Sequence, residues 1–258
     1  MIIRKTREEI ALMKLAGQTV AEILNILAKA VKPGVLTGDL NSIAEEECRK
    51  RGAIPLFKNY PNPAGGPPFP GVICASVNDE VVHGIPGNRV LKEGDIISID
   101  FGASVEGFAG DSAITVPVGV ISPEVARLLV ITKESLMKGI EQARPGNRLG
   151  MISHAIQRYA EKHGLHVVRE LVGHGIGRQM HEDPQVPNYG RPGQGPILKE
   201  GMTIAIEPML NLGTRKVYTK SDHWTVVTAD GSYSAHFEHT VAISERGPEI
   251  LTLGNGGG

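Results

Sequence analysis

The chain has 258 residues, with 27 basic and 28 acidic side chains, a net charge of −1 and a hydrophobic fraction of 41%. That length suits one large domain or two small ones, able to bury on the order of 70–75% of the unfolded surface, and the balanced charge removes the usual electrostatic basis for binding nucleic acid or an anionic membrane. Cys48 and Cys74 alone make no disulfide framework in so long a chain, so reduced thiols and a cytoplasmic location are expected.

The N-terminus places charges at Arg4, Lys5, Arg7, Glu8 and Glu9, where a signal peptide needs an apolar run, and nowhere do 18 apolar residues follow one another. Ile10, Met13, Ala16, Val20, Leu24 and Leu27 recur at three- and four-residue steps, predicting an amphipathic helix from Arg7 to Val31 stopped by Pro33-Gly34. A second helix is expected over Thr37 to Arg51, ending at Gly52. Pro61 to Gly71 holds five prolines and three glycines, which cannot keep a strand ladder and predict a surface loop. Ser122-Pro-Glu opens a third helix running to about Ala143, and a fourth follows from Leu149 to His163, ending at Gly164. Strands rich in Val and Ile follow each helix pair, and the tail from Gly254 to Gly258 has nothing to bury and should be mobile.

The chain also repeats itself. Leu91-Lys-Glu-Gly-Asp-Ile-Ile-Ser-Ile-Asp100 returns as Leu198-Lys-Glu-Gly-Met-Thr-Ile-Ala-Ile-Glu207, and the Pro33-Gly34 stop returns as Pro145-Gly146. Two halves, about 5–118 and 122–250 within one domain over 1–253, therefore share the order helix, Pro-Gly turn, helix, strands. This predicts an α+β fold in which both halves contribute to a central antiparallel sheet with helices on one face.

Strand alternation then places the acids. Ile97, Ile99 and Phe101 share one face and Ser98 and Asp100 the other; in the second copy Ile204 and Ile206 oppose Thr203, Ala205 and Glu207. Asp111 lies with Ala113 and Thr115, opposite Ile114, and Glu238 lies with Thr240, opposite Val241. Four carboxylates on one face of a sheet repel one another unless they take up protons or a cation intervenes, and bridging carboxylates can hold two divalent ions. A nitrogen donor is offered by His174, held between glycines in Val-Gly-His-Gly-Ile-Gly, while His83 and His181 pose the same question; each of these alone could equally be a turn or structural residue.

Taken together, Asp100, Asp111, His174, Glu207 and Glu238, with Glu-Val-Val-His-Gly-Ile-Pro around His83, Gly-His-Gly-Ile-Gly-Arg around His174 and Ile-Glu-Pro-Met around Glu207, resemble the type I methionine aminopeptidases over nearly the whole chain. The resemblance implies the pita-bread fold, whose pseudo-twofold halves account for the repeat. It makes Asp100 a ligand of one metal, Asp111 and Glu238 bridges between two, and His174 and Glu207 ligands of the other. It also implies a hydroxide activated by the two ions that attacks the scissile carbonyl, with Glu207 passing the proton to the leaving amine. His83 becomes a substrate-backbone contact and His181 a donor to the scissile carbonyl oxygen. Tyr60, Phe69, Cys74 and Trp224 are implied around the methionine side chain, where aromatic walls and a soft sulfur suit a thioether.

In two places the sequence departs from that pattern. The family's short Gly-Tyr-x-Gly-(Phe or Tyr)-Pro run is stretched here between Tyr60 and Phe69-Pro70, and Met180 stands before His181 where an aromatic is common. The donor set suits Mn, Fe(II), Co or Zn, without choosing among them. The implied substrate is the N-terminal methionine of nascent proteins before a small second residue, with the ribosome as a candidate partner and a monomer as the expected state. Two alternatives stand beside this: a prolidase or aminopeptidase P on the same fold, disfavoured because no extra N-terminal domain precedes the motifs, and a non-catalytic module that binds ribosomes or nascent chains, disfavoured because all five ligand residues are present.

Overall fold

The computed structural model describes residues 1–254, so the tail expected to be mobile lies, beyond Gly254, outside the described residues. Helix α1 (Arg7–Ala30) starts where Thr6 and Glu9 cap each other: the Glu9 N–H donates to Thr6 Oγ1 at 3.2 Å and the Thr6 N–H donates to Glu9 Oε2 at 3.0 Å. By length and composition alone α1 could cross a membrane. Its apolar stripe, Met13, Ala16, Val20, Leu24 and Leu27, is instead packed into the protein core. Helix α2 (Thr37–Arg51) ends at Gly52 in the left-handed region at φ +63°.

The strands of the first half are β1 (Ile54–Pro55), β2 (Cys74–Val77), β3 (Glu80–Val82), β4 (Ile96–Val105) and β5 (Phe108–Pro117). Helix α3 (Pro123–Ile140) begins with the Val125 N–H donating to Ser122 Oγ at 3.3 Å. It stops three residues short of Ala143, because Gln142, Ala143 and Arg144 close tight turns on Gly139, Ile140 and Gln142 ahead of Pro145. Helix α4 (Gly150–Lys162) follows, then β6 (His166–Val167), β7 (Gly173–Gly175), β8 (Glu182–Val186), β9 (Thr203–Ile206), β10 (Met209–Asn211), β11 (Val217–Thr219), β12 (Val226–Thr228), β13 (Ser234–His236), β14 (Glu238–Ser244) and β15 (Gly247–Ile250).

Nine strands form one sheet in the order β1-β4-β5-β14-β9-β7-β8, with β2 added to β4 and β15 to β14, and every pairing is antiparallel. The repeated segments meet along β5 and β14, where Glu238 opposes Ala113 and His239 opposes Ser112. The copies share details of backbone pairing. The Gly34 N–H donates to the Leu91 carbonyl at 2.8 Å, and the Gly146 N–H donates to the Leu198 carbonyl at 2.9 Å. Bridges Leu36–Val90 and Arg148–Ile197 flank the two turns.

One face of the sheet is covered by helices. Ile97, Ile99 and Phe101 pack with Val20, Leu24 and Leu27 of α1, and Ile204, Ile206, Val241 and Ile243 pack with Leu136 and Ile140 of α3 and Ile152 and Ile156 of α4. The isoleucines therefore lie where strand alternation puts them, and the acids face away from the helices. Helix α1 lies so close to the sheet that a Cβ on Gly110 would come within 2.7 Å of the Gly17 nitrogen. Two small sheets, β13-β10-β6 and β11-β12-β3, complete the fold; strands of two or three residues carry no readable period.

Candidate functional site

The register of three adjacent strands assembles the acidic cluster. Ala113 of β5 opposes Asp100 of β4 on one side and Glu238 of β14 on the other, so two acids flank a single methyl group. Asp111 lies two residues before Ala113 on the same face, its backbone tied to β14 by the Asp111 N–H donating to Thr240 Oγ1 at 3.1 Å and Thr240 Oγ1 donating to the Asp111 carbonyl at 2.8 Å. Glu207 follows the last residue of β9, and its carbonyl accepts from Asn188 Nδ2 at 3.0 Å.

His174 completes the cluster from the middle of β7. Its glycine neighbours are required by packing: a Cβ on Gly173 would lie 2.3 Å from the Ala205 carbonyl oxygen, and one on Gly175 would lie 2.0 Å from the Asp183 carbonyl oxygen. The neighbouring backbones, more than any ligand, demand those glycines. Nδ1 of His174 sits 2.9 Å from the Gly175 carbonyl, which can only accept, so Nδ1 carries the hydrogen. The bare Nε2 then points to the acids, 3.8 Å from Asp111 Oδ2 and 3.7 Å from Glu207 Oε1. Burial, with His181 adjacent, lowers the His174 pKa to about 3 and keeps that lone pair free.

Burial and mutual repulsion press the carboxyls the other way. Desolvation, then the charges of Asp111 and Glu207, hold Asp100 well above the usual range; desolvation and Asp111 do the same to Glu207 and Glu238; Asp111 is raised by desolvation to about 7. Asp100 Oδ1, Asp111 Oδ1 and Glu238 Oε1 are buried with no hydrogen-bond partner, and among the described residues no Lys or Arg forms an ion pair with any of the four acids. Orphaned carboxylate oxygens beside a bare imidazole nitrogen are the donor set of a hard or borderline divalent cation. Asp111, His174 and Glu238 each offer such an atom, all within 4.8 Å of one another.

An apolar chamber opens beside the acids. Phe69 and Trp224 meet edge to face with ring centroids 5.2 Å apart, and Phe57, Cys74 and Met180 join them in one buried cluster. Cys74 opposes Asp100 across β2 and β4, and burial with the nearby acids raises its thiol pKa, so it stays protonated. His83 follows β3 in the left-handed region at φ +59°, a conformation that costs a non-glycine residue about 1–2 kcal/mol and turns its ring to the edge of Trp224. The His181 ring lies 4.3 Å from that of His174, at the open side of the cleft.

All eleven residues singled out in the sequence, Tyr60, Phe69, Cys74, His83, Asp100, Asp111, His174, His181, Glu207, Trp224 and Glu238, line one cavity of about 300 Å³. The stretched segment between Tyr60 and Phe69 does not separate them. The Asn59 N–H donates to the Phe69 carbonyl at 2.8 Å and the Phe69 N–H to the Tyr60 carbonyl at 2.9 Å, so the prolines and glycines loop outward from a closed neck. Trp224 Nε1 donates to the Pro67 carbonyl at 2.8 Å and Asn62 Nδ2 to the His223 carbonyl at 2.9 Å, tying the loop down.

Phe57 and Pro63 also line the cavity and carried no signal, since neither belongs to a motif. His236 was also missed. It is fully buried with both ring nitrogens unpaired, and Nε2 lies 3.9 Å from Glu207 Oε2. No local pattern could have found it, because His236 ends β13 and Glu238 opens β14, which belong to different sheets.

A profile described as Metallopeptidase family M24 matches residues 11–245. A methionine aminopeptidase of Clostridium acetobutylicum is 58% identical over 254 residues, covering 98% of this chain and 99% of the relative. The crystal structure of methionine aminopeptidase from Rickettsia prowazekii superposes with a TM-score of 0.94 at 44% identity, covering 98% of this chain and 100% of that one. The prolidase from Pyrococcus horikoshii shares the fold alone, with a TM-score of 0.77 at 21% identity over 99% of this chain and 65% of its own.

Proposed function

This chain belongs to metallopeptidase family M24, among its methionine aminopeptidases, and from that premise we propose that it releases the N-terminal methionine of peptides and proteins whose second residue is small, with two divalent ions held in the cleft. The observation that carries the reading is the juxtaposition, in one cleft, of orphaned carboxylate oxygens and a bare histidine nitrogen with the apolar walls of Phe57, Phe69, Met180 and Trp224.

In this reading Asp100, Asp111, His174, Glu207 and Glu238 would hold the ions, Asp100 on one side of the cluster, His174 and Glu207 on the other, and Asp111 and Glu238 shared between them. Mn, Fe(II), Co and Zn all suit oxygen donors with one imidazole and no thiolate. Divalent ions there supply Lewis acidity and make water more acidic, and the remaining work falls to the chain's own groups. Glu207 takes a proton from water and delivers it to the leaving amine. His181 donates from Nε2 to the scissile carbonyl oxygen as charge develops there, and His83, turned inward by its backbone, contacts the substrate backbone. Phe69, Trp224, Cys74 and the ring of Tyr60 enclose the methionine side chain and exclude water from it. Residues 1–253 act as one catalytic domain, a monomer in the cytosol working on nascent chains at the ribosome.

The test compares release of the first residue from Met-Ala-, Leu-Ala- and Ala-Pro-initiated peptides, before and after chelation and with each metal restored. Metal-dependent cleavage of the Met-Ala peptide alone is expected. Cleavage of the Ala-Pro peptide instead would move the chain to the proline-specific branch of the fold, and no turnover with any metal would leave a binding module.

A further inference from the structure

We propose that Tyr60 is a positioning residue whose hydroxyl donates to Nδ1 of His181 and thereby fixes the tautomer that carries hydrogen on Nε2. The inference deepens the function proposed above, because it supplies the hydrogen that His181 would offer to the scissile carbonyl.

The Tyr60 hydroxyl oxygen and His181 Nδ1 are 2.7 Å apart. Two arrangements could give that contact. Both fit 2.7 Å, and acidity decides between them: a phenol O–H is a stronger donor than a neutral imidazole N–H, and a bare imidazole nitrogen is a stronger acceptor than a phenol oxygen, so the hydroxyl donates. Partial burial raises the Tyr60 pKa, so the phenol keeps its proton to give. A neutral imidazole has one donor and one acceptor nitrogen; once Nδ1 accepts, the hydrogen must sit on Nε2. No other hydrogen bond to the His181 ring occurs among the described residues, so Tyr60 alone sets the choice.

The neighbouring ring is set the opposite way. His174 gives its Nδ1 hydrogen to the Gly175 carbonyl and is bare at Nε2, while His181, with its centroid 4.3 Å away, is bare at Nδ1 and armed at Nε2. One imidazole is thus prepared to bind a cation and the other to donate to an oxygen. Tyr60 can hold this post because its backbone is clamped on both sides, its N–H donating to the Phe57 carbonyl and its carbonyl accepting from Phe69, each at 2.9 Å. The tie from Trp224 to Pro67 secures the same loop. The Pro/Gly-rich insertion therefore supports the donor as well as the chamber wall.

A residue that merely walled the chamber would lose little with its hydroxyl, so Tyr60→Phe separates the two roles. The full-length zinc-loaded protein, labelled with 15N in its histidine rings and assigned with His181→Ala, reports the tautomer directly. We expect hydrogen on Nε2 of His181 in the parent protein and a mixture of both tautomers in Tyr60→Phe. With a Met-Ala peptide kcat should fall about tenfold or more, as for outer partners of functional imidazoles, with KM little changed. Tyr60→Leu, which also removes the ring, should raise KM as well. Hydrogen on Nδ1 in the parent protein, ring signals unaltered in Tyr60→Phe, or an unaltered kcat in that variant would each overturn the proposal. Full turnover by His181→Ala would instead remove His181 from the proposed mechanism, and the ring signals would still decide whether Tyr60 sets its tautomer.

Discussion

Each carboxyl in the cleft is pushed toward its neutral form, and each buried histidine beside it is pushed toward its neutral form too, so the two sets act on stability in opposite senses. Asp111 titrates at about 7 and Asp100, Glu207 and Glu238 well above their ordinary 3.8 or 4.5. Without metal, these groups hold more protons folded than unfolded, and the stability they contribute at low pH is lost as pH rises through their folded values. His83, lowered by burial to about 4, and His174 and His236, lowered by burial to about 3, contribute stability that is fully present only above their ordinary 6.5 and is lost as pH falls toward the folded values. Below pH 6.5 the two trends oppose each other; above it the carboxyls act alone. The Tm of the chelated protein should therefore fall as pH rises from 6.5 toward 8.5, and the metal-loaded protein should lack that fall. Metal binding at pH 7 should also expel protons, seen as a binding heat that changes with the ionisation enthalpy of the buffer. A buffer-independent heat would mean that the cluster is already ionised and that its charges are balanced in another way.

At the scale of single elements, the short strand β7 controls the cluster, because it sits between two backbones with no room for a side chain beside His174. Gly175→Ala would force a methyl group to within 2.0 Å of the Asp183 carbonyl. Over-packing of this kind costs about 1–3 kcal/mol, and here the displaced residue is His174, whose bare Nε2 faces Asp111 and Glu207. Both Tm and metal affinity should fall in this variant, while Gly193→Ala, where a Cβ meets nothing within 4 Å, should change neither. An intact metal affinity in Gly175→Ala would show that β7 can shift without moving His174. The sequence announced Gly-His-Gly as a motif but not the reason for its glycines, since the carbonyls of Asp183 and Ala205 belong to other strands. The same limit applies elsewhere in the chain. The isoleucine alternation of β4 and β9, the Pro-Gly stops and the repeated Leu-Lys-Glu-Gly turn are local patterns, so the helices, the main sheet and the acid-bearing face could be read directly. The contact of Tyr60 with His181 joins residues 121 apart in the chain, and the approach of His236 to Glu207 depends on how two sheets pack. No periodicity carries such information, and the two small sheets escaped for the same reason.

At the scale of the whole molecule, the two repeated segments need a fixed relation, because the acids come from β4 and β5 on one side and from β9 and β14 on the other. Hydrogen bonding between β5 and β14 supplies part of it. A second tie lies at the opposite end of the chain order: Lys5, just before α1, donates from Nζ to Glu182 Oε2 at 2.6 Å, with side chains only 3% and 7% exposed. The Lys5 N–H also donates to the Gly201 carbonyl at 2.6 Å, and Glu182 follows His181 directly. The pair thus pins the start of the first repeat to the segment that carries the proposed carbonyl donor. Removing one member of a buried ion pair leaves an uncompensated charge and costs about 3–5 kcal/mol, whereas replacing both with apolar groups of similar volume can be close to neutral. Lys5→Met should therefore destabilise the protein strongly, and Lys5→Met with Glu182→Met should recover most of the loss in a denaturant titration. If the pair only stabilises the fold, the double variant will regain turnover along with stability. If it also aims His181, the double variant will be stable yet slow, because the Glu182 contact that fixes the segment is gone. A single Lys5→Met variant as stable as the parent protein would remove the pair from both roles and leave the β5–β14 seam to hold the halves in register.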